Sequence, residues 1–159
     1  MTIPPKTLAR VEFLARVVRK ECRHLITTDE RLFDAGFTLE QIETLEETPD
    51  VAERVEAFVG RFGRLQDTLG DKLLPILLSL LGEKVSFVID NLDRAERLGF
   101  IESTNDWMAM RSLRNQMVHE YVEDANILHD APLLSGHSFV PLLTVSADKM
   151  LDEIERRIM

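Results

Sequence analysis

The stretch VAERVEAFVGRFGRLQDTLGDKLLPILLSLL, residues 51–81, carries the longest helical pattern of the chain and decides its fold class. Its apolar side chains return every three or four residues, which places them on one face of a helix: Val51, Val55, Phe58, Val59, Phe62, Leu65, Leu69, Leu73 and Leu77. If unbroken, this helix is about 45 Å long. Thr48-Pro49 is expected to end the preceding helix, and Asp50 to cap this one. Pro75 predicts a kink, because proline removes a backbone hydrogen bond.

Similar amphipathic patterns on both sides predict further helices. Residues 6–26 and about 139–157 each place apolar side chains at helical spacing, and residues 104–121 form a third such segment, capped by Ser103 or Thr104. TLEQIETLEE (residues 38–47) has the capping-box pattern of a short helix. DNLDRAERLG (residues 90–99) reads as another, ended by its glycine.

The segment VEDANILHDAPLLSGHS, residues 122–138, is predicted to be a loop because it contains Pro132 and Gly136. Pro141 would then fall in the first turn of the last helix, where proline is tolerated. No pair of strands is recognisable. We therefore expect an all-α bundle of four main helices plus short ones, forming a single domain over residues 1–159.

Length and composition agree with one globular domain, since 159 residues with 45% apolar and 30% charged side chains can bury a core without disulfides. Cys22 is the one cysteine, which suits a reducing cytoplasm, and its place in an apolar stripe predicts a buried structural thiol. The start, MTIPPKTLARVEF, lacks the apolar core of a secretory signal. The apolar run at residues 73–81 has nine residues, against the ~20 that span a bilayer. We expect a cytoplasmic protein without membrane contact, in which this run is buried or contacts another subunit.

The net charge of −9 argues against a protein that coats nucleic acid over a broad basic face. The charge is uneven, however. Residues 6–24 carry a net charge of +4, and residues 28–56 carry −8. This asymmetry could orient RNA or a charged partner, or simply reflect oppositely charged helix faces in solvent.

The segment RSLRNQMVHEYVED, residues 111–124, and the turn before it form two rows of side chains on an ideal helix. A polar row contains Arg111, Asn115 and His119, and Arg114 lies between the rows, about 140° from His119. Either the long Arg side chain wraps around the helix, the helix distorts near its end, or a second copy of the chain supplies the partner group. The other row is apolar and is expected to pack on the bundle: Trp107, Met110, Leu113, Met117 and Tyr121.

The residue types in this segment fit phosphoryl chemistry on RNA. Histidine can exchange protons near neutral pH, and arginine can stabilise charge that accumulates at phosphorus. The 2′-hydroxyl of RNA can serve as the nucleophile, so no metal is required. His24, His129 and His137 lie outside recognisable metal-ligand spacing. A histidine and an arginine near a helix end also fit a structural role, as carbonyl caps or surface charges.

The run RNQMVHEY, residues 114–121, resembles the R-x4-H-x-Y signature of the HEPN domain superfamily, in particular the HepT-type toxins that are encoded beside an MntA nucleotidyltransferase antitoxin. The surrounding sequence is also similar to this family, with RFGRLQDTLG at residues 61–70, RAERLGFI at 94–101 and NDW at 105–107. The resemblance covers roughly residues 50–125.

The resemblance implies a helical bundle that forms a homodimer through its motif helices, and a metal-independent endoribonuclease without a cofactor. Arg114 and His119 would be the catalytic pair, with Asn115 in support, and Arg111 is expected to add positive charge. The resemblance also implies that an MntA-like nucleotidyltransferase neutralises the toxin by adding AMP to Tyr121. Two alternatives stay open: a non-catalytic HEPN subunit that binds a nucleotide or partner, and a helical interaction protein without a site.

Overall fold

Helices make up most of what the computed structural model describes, which is residues 2–34, 47–119 and 130–158, and no strand occurs in these ranges. The all-α prediction is therefore confirmed for the described part of the chain. The α-helices are α1 (Pro5–Asp29), α2 (Pro49–Asp67), α3 (Leu74–Leu80), α4 (Val88–Leu98), α5 (Thr104–Val118) and α6 (Asp130–Ile158), with π-helical segments at Glu30–Asp34 and Thr68–Leu73.

Four long helices form the bundle. Helix α2 packs against α1 and α5, and α6 packs against α1, α5 and α2. The short helices α3 and α4 pack on each other, and they contact α6 and α5, respectively. The largest fully buried side chains come from α1 to α5 and from the π-helical segment Thr68–Leu73, and each one contributes about 1.5–3 kcal/mol relative to an exposed position: Phe58, Phe62, Leu25, Leu65, Leu69, Leu73, Leu74, Leu77, Leu78, Leu92 and Met117.

The long helix predicted over residues 51–81 consists of three pieces. Helix α2 is followed directly by the π-helical segment Thr68–Leu73 and then by α3, which has Pro75 in its first turn. Regular α-helical hydrogen bonding is thus interrupted in the turn before Pro75, while the kink predicted at Pro75 stays a prediction. The assignment of Asp50 as the N-cap was wrong, because Thr48 is the N-cap and Pro49 is the first helical residue. Proline suits that position, since its missing N–H would have no helical partner there.

Two helix boundaries near the motif helix are confirmed. Helix α4 ends at Gly99, which adopts a left-handed conformation with φ of 84°. Helix α5 begins after Ser103, whose Oγ accepts a hydrogen bond from the backbone N–H of Asp106 at 2.9 Å. The side chain of Asp106 lies in the first turn, where a negative charge is favourable.

The loop predicted for residues 122–138 was wrong over its second half, because α6 already begins at Asp130. Pro132 falls near the start of this helix, and Pro141 lies inside it rather than in its first turn. Gly136 is a close-packing residue and not a turn residue. A Cβ atom there would lie 3.0 Å from Phe58 Cε1 and 3.2 Å from Met117 Sδ, so the absence of a side chain lets α6 approach α2 and α5.

Other predictions for the core are mostly confirmed. The Cys22 thiol is buried, and its burial raises its pKa to about 12. Ile26, the last residue of the apolar pattern in residues 6–26, does not face the core, because its side chain is 39% exposed. The short helix predicted at residues 38–47 lies almost wholly outside the described residues. No helix within residues 2–34, 47–119 and 130–158 combines the length and apolar content that crossing a membrane requires.

Candidate functional site

Helix α5 has the two rows that its sequence predicts. Trp107, Met110, Leu113 and Met117 are buried against the bundle. On the polar row, Arg111 is half-buried, and Asn115 and His119 are exposed. Tyr121 lies outside the described residues, so its predicted place on the packed row is untested.

Arg114 leaves the border of these rows and packs directly on α2 at Gly63. A Cβ atom at residue 63 would lie 2.8 Å from Arg114 Nε and 3.1 Å from its Cγ, closer than ordinary contacts allow. The missing side chain of Gly63 therefore creates the groove that holds the middle of the Arg114 side chain. Arg114 Nε is buried there and has no hydrogen-bond partner among the described residues.

Two oxygen atoms fix the outer end of this guanidinium. Arg114 Nη2 donates to Asp67 Oδ2 at 3.1 Å, and Nη1 donates to Asn115 Oδ1 at 3.1 Å. The ion pair is part-exposed, at 35% for Arg114 and 44% for Asp67, so it adds only about 0–1 kcal/mol to stability. Its main effect is to orient the guanidinium. Each Nη atom carries a second N–H group, which can donate to an anionic ligand.

Helices α2 and α5 are held in register by further contacts beside this groove. Gln66 Nε2 donates to the Trp107 carbonyl oxygen at 3.3 Å. A Cβ atom at Gly70 would lie 3.2 Å from Trp107 Nε1, so the indole also rests on a glycine. Because Gly63 meets Arg114 and Gly70 meets Trp107, the two helices run antiparallel. The buried Trp107 thereby sets the level at which Arg114 meets α2.

His119 lies immediately after the last residue of α5. It keeps right-handed helical geometry, with φ of −62° and ψ of −46°, and its backbone N–H donates to the carbonyl oxygens of Asn115 and Gln116. The His119 side chain is exposed one helical turn beyond Asn115. Asn115 thus connects the Arg114 guanidinium to the row that carries His119. The hydrogen bonds bring Arg114, Asn115 and Asp67 together.

A second group of charges adjoins Asp67 on the side of α1. Glu21 Oε1 accepts a hydrogen bond from Thr68 Oγ1 at 3.1 Å, while its Oε2 is buried without a hydrogen-bond partner among the described residues. Burial raises the pKa of Glu21, and Asp67 acts in the same direction. The Thr68 hydrogen bond and the charges of Arg64 and Lys72 oppose this rise. Carboxylates and cations therefore meet on the outer face of α2.

Sequence reasoning did not assign Gly63 and Asp67 to the site. Both lie in RFGRLQDTLG, residues 61–70, but their role depends on the register of α2 against α5. Their spacing is the available signal: a glycine and an acidic residue four positions apart share one face of a helix. A glycine inside a strongly amphipathic helix also indicates a close approach.

The described residues, 2–34, 47–119 and 130–158, show no candidate metal site. No group of three or more metal-ligating side chains occurs in these ranges. His137 Nδ1 lies 2.7 Å from Asp29 Oδ1, and its ring stacks on Phe33 with centroids 4.3 Å apart. These contacts fit a packing role for His137.

Comparison with known proteins does not identify a relative. No protein-family model, no curated protein and no solved structure matches this chain. The functional assignment therefore depends on the motif and on the contacts around Arg114.

Proposed function

We propose that the chain is a HEPN-type toxin, a metal-independent endoribonuclease that uses Arg114 and His119. The observation that carries the proposal is the Arg114 guanidinium, which two hydrogen bonds keep in a fixed orientation. It belongs to the sequence R-x4-H-x-Y, and it is oriented by Asp67 and Asn115 at the edge of the bundle. A surface arginine without a positioning role does not need a glycine groove beneath its side chain.

The proposed reaction is an attack by the RNA 2′-hydroxyl on the adjacent phosphorus. His119 takes the hydroxyl proton as the 2′-oxygen bonds to phosphorus. The bond from phosphorus to the 5′-oxygen breaks, and that oxygen takes a proton from water, leaving a cyclic phosphate and a 5′-hydroxyl end, while His119 returns its proton to the solvent. Arg114 stabilises the charge on the non-bridging oxygens with its remaining N–H groups. Asn115 orients Arg114 from the side that faces His119.

The direct test compares wild-type protein with His119→Ala on total RNA in the presence of EDTA. We expect cleavage by the wild type and a loss of at least roughly a hundredfold in the variant, because a general base commonly contributes 10²–10⁴-fold. Arg97→Gln is the matched control, since it removes an exposed cation from α4 and should leave cleavage unchanged. Equal cleavage by wild type and His119→Ala would mean contamination and would refute the proposal. A wild type that binds nucleotide but cuts no RNA would favour the non-catalytic HEPN subunit.

We further propose a two-fold dimer in which Arg114 of one chain acts with His119 of the other. On an ideal helix these residues diverge by about 140°, and the Arg114 side chain turns towards α2 through Asp67. A two-fold axis beside α5 would bring the polar row of each copy against the same row of its partner. It would also concentrate Arg111 from both chains around the site.

Mixed dimers test this arrangement. Arg114→Gln and His119→Ala are each expected to be inactive, but in a mixed dimer one of the two shared sites retains both residues. Random exchange should restore about a quarter of the wild-type activity, because half of the dimers are mixed and each has one intact site. Light scattering after size exclusion checks the oligomeric state. Absence of restored activity, or a species containing one chain alone, would place Arg114 and His119 within a single chain.

The proposed antitoxin is an MntA-like nucleotidyltransferase that transfers AMP from ATP to Tyr121. An AMP group two residues after His119 would bring bulk and negative charge to the place where the RNA phosphate binds. Tyr121 is the one tyrosine of the chain, so a tyrosine modification needs no further assignment. Co-expression with the partner should add the mass of one or more AMP groups, and Tyr121→Phe should abolish the addition. Unmodified Tyr121 after co-expression would refute this part without affecting the nuclease proposal.

A further inference from the structure

Helices α1 and α2 share a cluster of cations on the outer face of the bundle, beyond the residues of the motif. We call Lys20 and Arg23 on α1, and Arg61 and Arg64 on α2, the α1–α2 basic cluster. Arg61 Nη1 donates to the His24 carbonyl oxygen at 3.3 Å and also to Thr28 Oγ1, which fixes this guanidinium against α1. The other three cations are exposed. This local excess of positive charge contrasts with the net charge of −9.

Arg61 and Arg114 lie at opposite edges of the same exposed face of α2. One edge contacts α5 through Gly63 and Asp67, and the other contacts α1 through Arg61. Arg64 lies between these edges. A Cβ atom at Gly60 would lie 4.0 Å from Arg64 Nη2, so this side chain extends back over a glycine in the middle of the face. A helix with its side chains is about 10–12 Å across, which is the order of distance between the two edges.

Further charges from both helices surround this face. Beside the basic cluster and Arg114, Lys72 adds a cation, while Glu21, Asp67 and Asp71 add carboxylates. Asp67 is paired with Arg114, and Glu21 accepts from Thr68. Glu53 and Glu56, one to two turns before Gly60, limit the cluster on its N-terminal side. The pKa of His24 is lowered by desolvation and then by Arg61, Lys20, Arg23 and Arg64, which agrees with this concentration of cations.

We infer that the α1–α2 basic cluster binds the phosphate backbone of the RNA strand that Arg114 holds at the scissile bond. The inference rests on the proposed function, because it extends the strand from that site across α2. Binding of the backbone without sequence specificity needs cations spaced like the phosphates of the strand, and it needs no base contacts. Such a track explains how an acidic protein can hold RNA, since Glu53 and Glu56 lie beyond its N-terminal end on α2.

The test measures binding apart from cleavage. The probe is a labelled 12-nucleotide single-stranded DNA, which cannot be cut through a 2′-hydroxyl, and the readout is fluorescence anisotropy on the full chain at several salt concentrations. For Lys20→Gln combined with Arg64→Gln, we expect roughly tenfold weaker binding and a salt slope reduced by about 1.4, since each lost contact with a single strand changes the slope by about 0.7.

Lys6→Gln combined with Arg97→Gln is the matched control. It removes the same charge from exposed positions on the first turn of α1 and on α4. Lys20→Gln combined with Arg23→Gln is a second test variant that leaves Glu21 with its Arg64 neighbour, and thermal melts verify folding. Unchanged binding in both test variants, or equal weakening in the control, would overturn the inference. Poly-glutamate bound as tightly as the oligonucleotide would assign the cluster to an acidic protein instead. Failure of the proposed nuclease function would be seen separately, as absence of RNA cleavage by the wild type in EDTA.

Discussion

Substitution of Gly63 by alanine tests whether the position of Arg114 matters. The new Cβ atom would lie 2.8 Å from Arg114 Nε and 3.1 Å from its Cγ, whereas carbon atoms in favourable contact are about 3.5–4.0 Å apart. The Arg114 side chain must therefore move by roughly 0.5–1 Å. Its bond to Asp67 Oδ2 is 3.1 Å long, so a shift of this size breaks or weakens it.

The stability change of Gly63→Ala is the difference between two opposing effects. Replacing glycine inside a helix by alanine stabilises by about 0.5–1 kcal/mol. Overpacking costs about 1–3 kcal/mol. We expect a net loss of about 1 kcal/mol, which lowers the melting temperature of a chain of this size by about 2–4 °C. Cleavage should fall by roughly a hundredfold, because a displacement of about 1 Å in an active site can cost that much.

Gly60→Ala is the matched control, three residues earlier on the same helix. Its Cβ atom would meet Arg64 Nη2 at 4.0 Å, which is ordinary contact. The alanine should therefore raise the melting temperature by about 1–4 °C and leave the cleavage rate unchanged. Thermal melts and RNA cleavage in EDTA give both quantities. If Gly63→Ala stabilised the protein as Gly60→Ala does and cleaved at the wild-type rate, the groove would have no role in the site.

Three further expectations concern single groups. Ser103→Ala removes the hydrogen bond to the Asp106 N–H and should cost about 1 kcal/mol, measured by urea denaturation; an unchanged midpoint would contradict this. Because burial raises the pKa of Glu21 above 4.5, the stability that the wild type has with Glu21 protonated is lost as the pH rises from 4.5 through the folded-state pKa, so Glu21→Gln should gain stability relative to wild type over that rise. If the difference in denaturation midpoint between Glu21→Gln and wild type did not change with pH, burial of the Glu21 carboxyl would not be its cause. The Cys22 thiol is buried with a pKa of about 12, so a thiol reagent should label it in urea and not in the native state; rapid native labelling would refute its burial.

Much of the fold follows from local patterns in the sequence. The apolar row of α5, the left-handed Gly99 and the Ser103 cap depend on residues within one or two turns of each other, so the sequence alone predicts them. The role of Gly63 depends on which residue of α5 faces it. That register is a tertiary property, and no local pattern contains it.

The errors near the last helix have a similar cause. Pro132 and Gly136 are common in turns, but packing can override such preferences. Gly136 lies against Phe58 and Met117, and a glycine that closes a helix contact has the same letter as one that ends a helix. For the site, the structure shows how Asp67 and Asn115 orient Arg114. The pairing of Arg114 with His119 across a dimer and the modification of Tyr121 stay predictions.

The π-helical segment Thr68–Leu73 determines which face of α3 points towards the core, because it sets the rotation of α3 about the helix axis. Leu65, Leu69, Leu73 and Leu77 recur every four residues, and all four are fully buried. On a regular α-helix, four residues overshoot a full turn by about 40°, so three such steps would rotate the row by about 120°. The wider turn absorbs this drift and keeps the leucines on the core. Deleting one residue from the segment would restore a regular helix and, because eleven residues turn by about 1100°, would leave Leu77 within about 20° of Leu65 and so keep the leucines of α3 on the bundle.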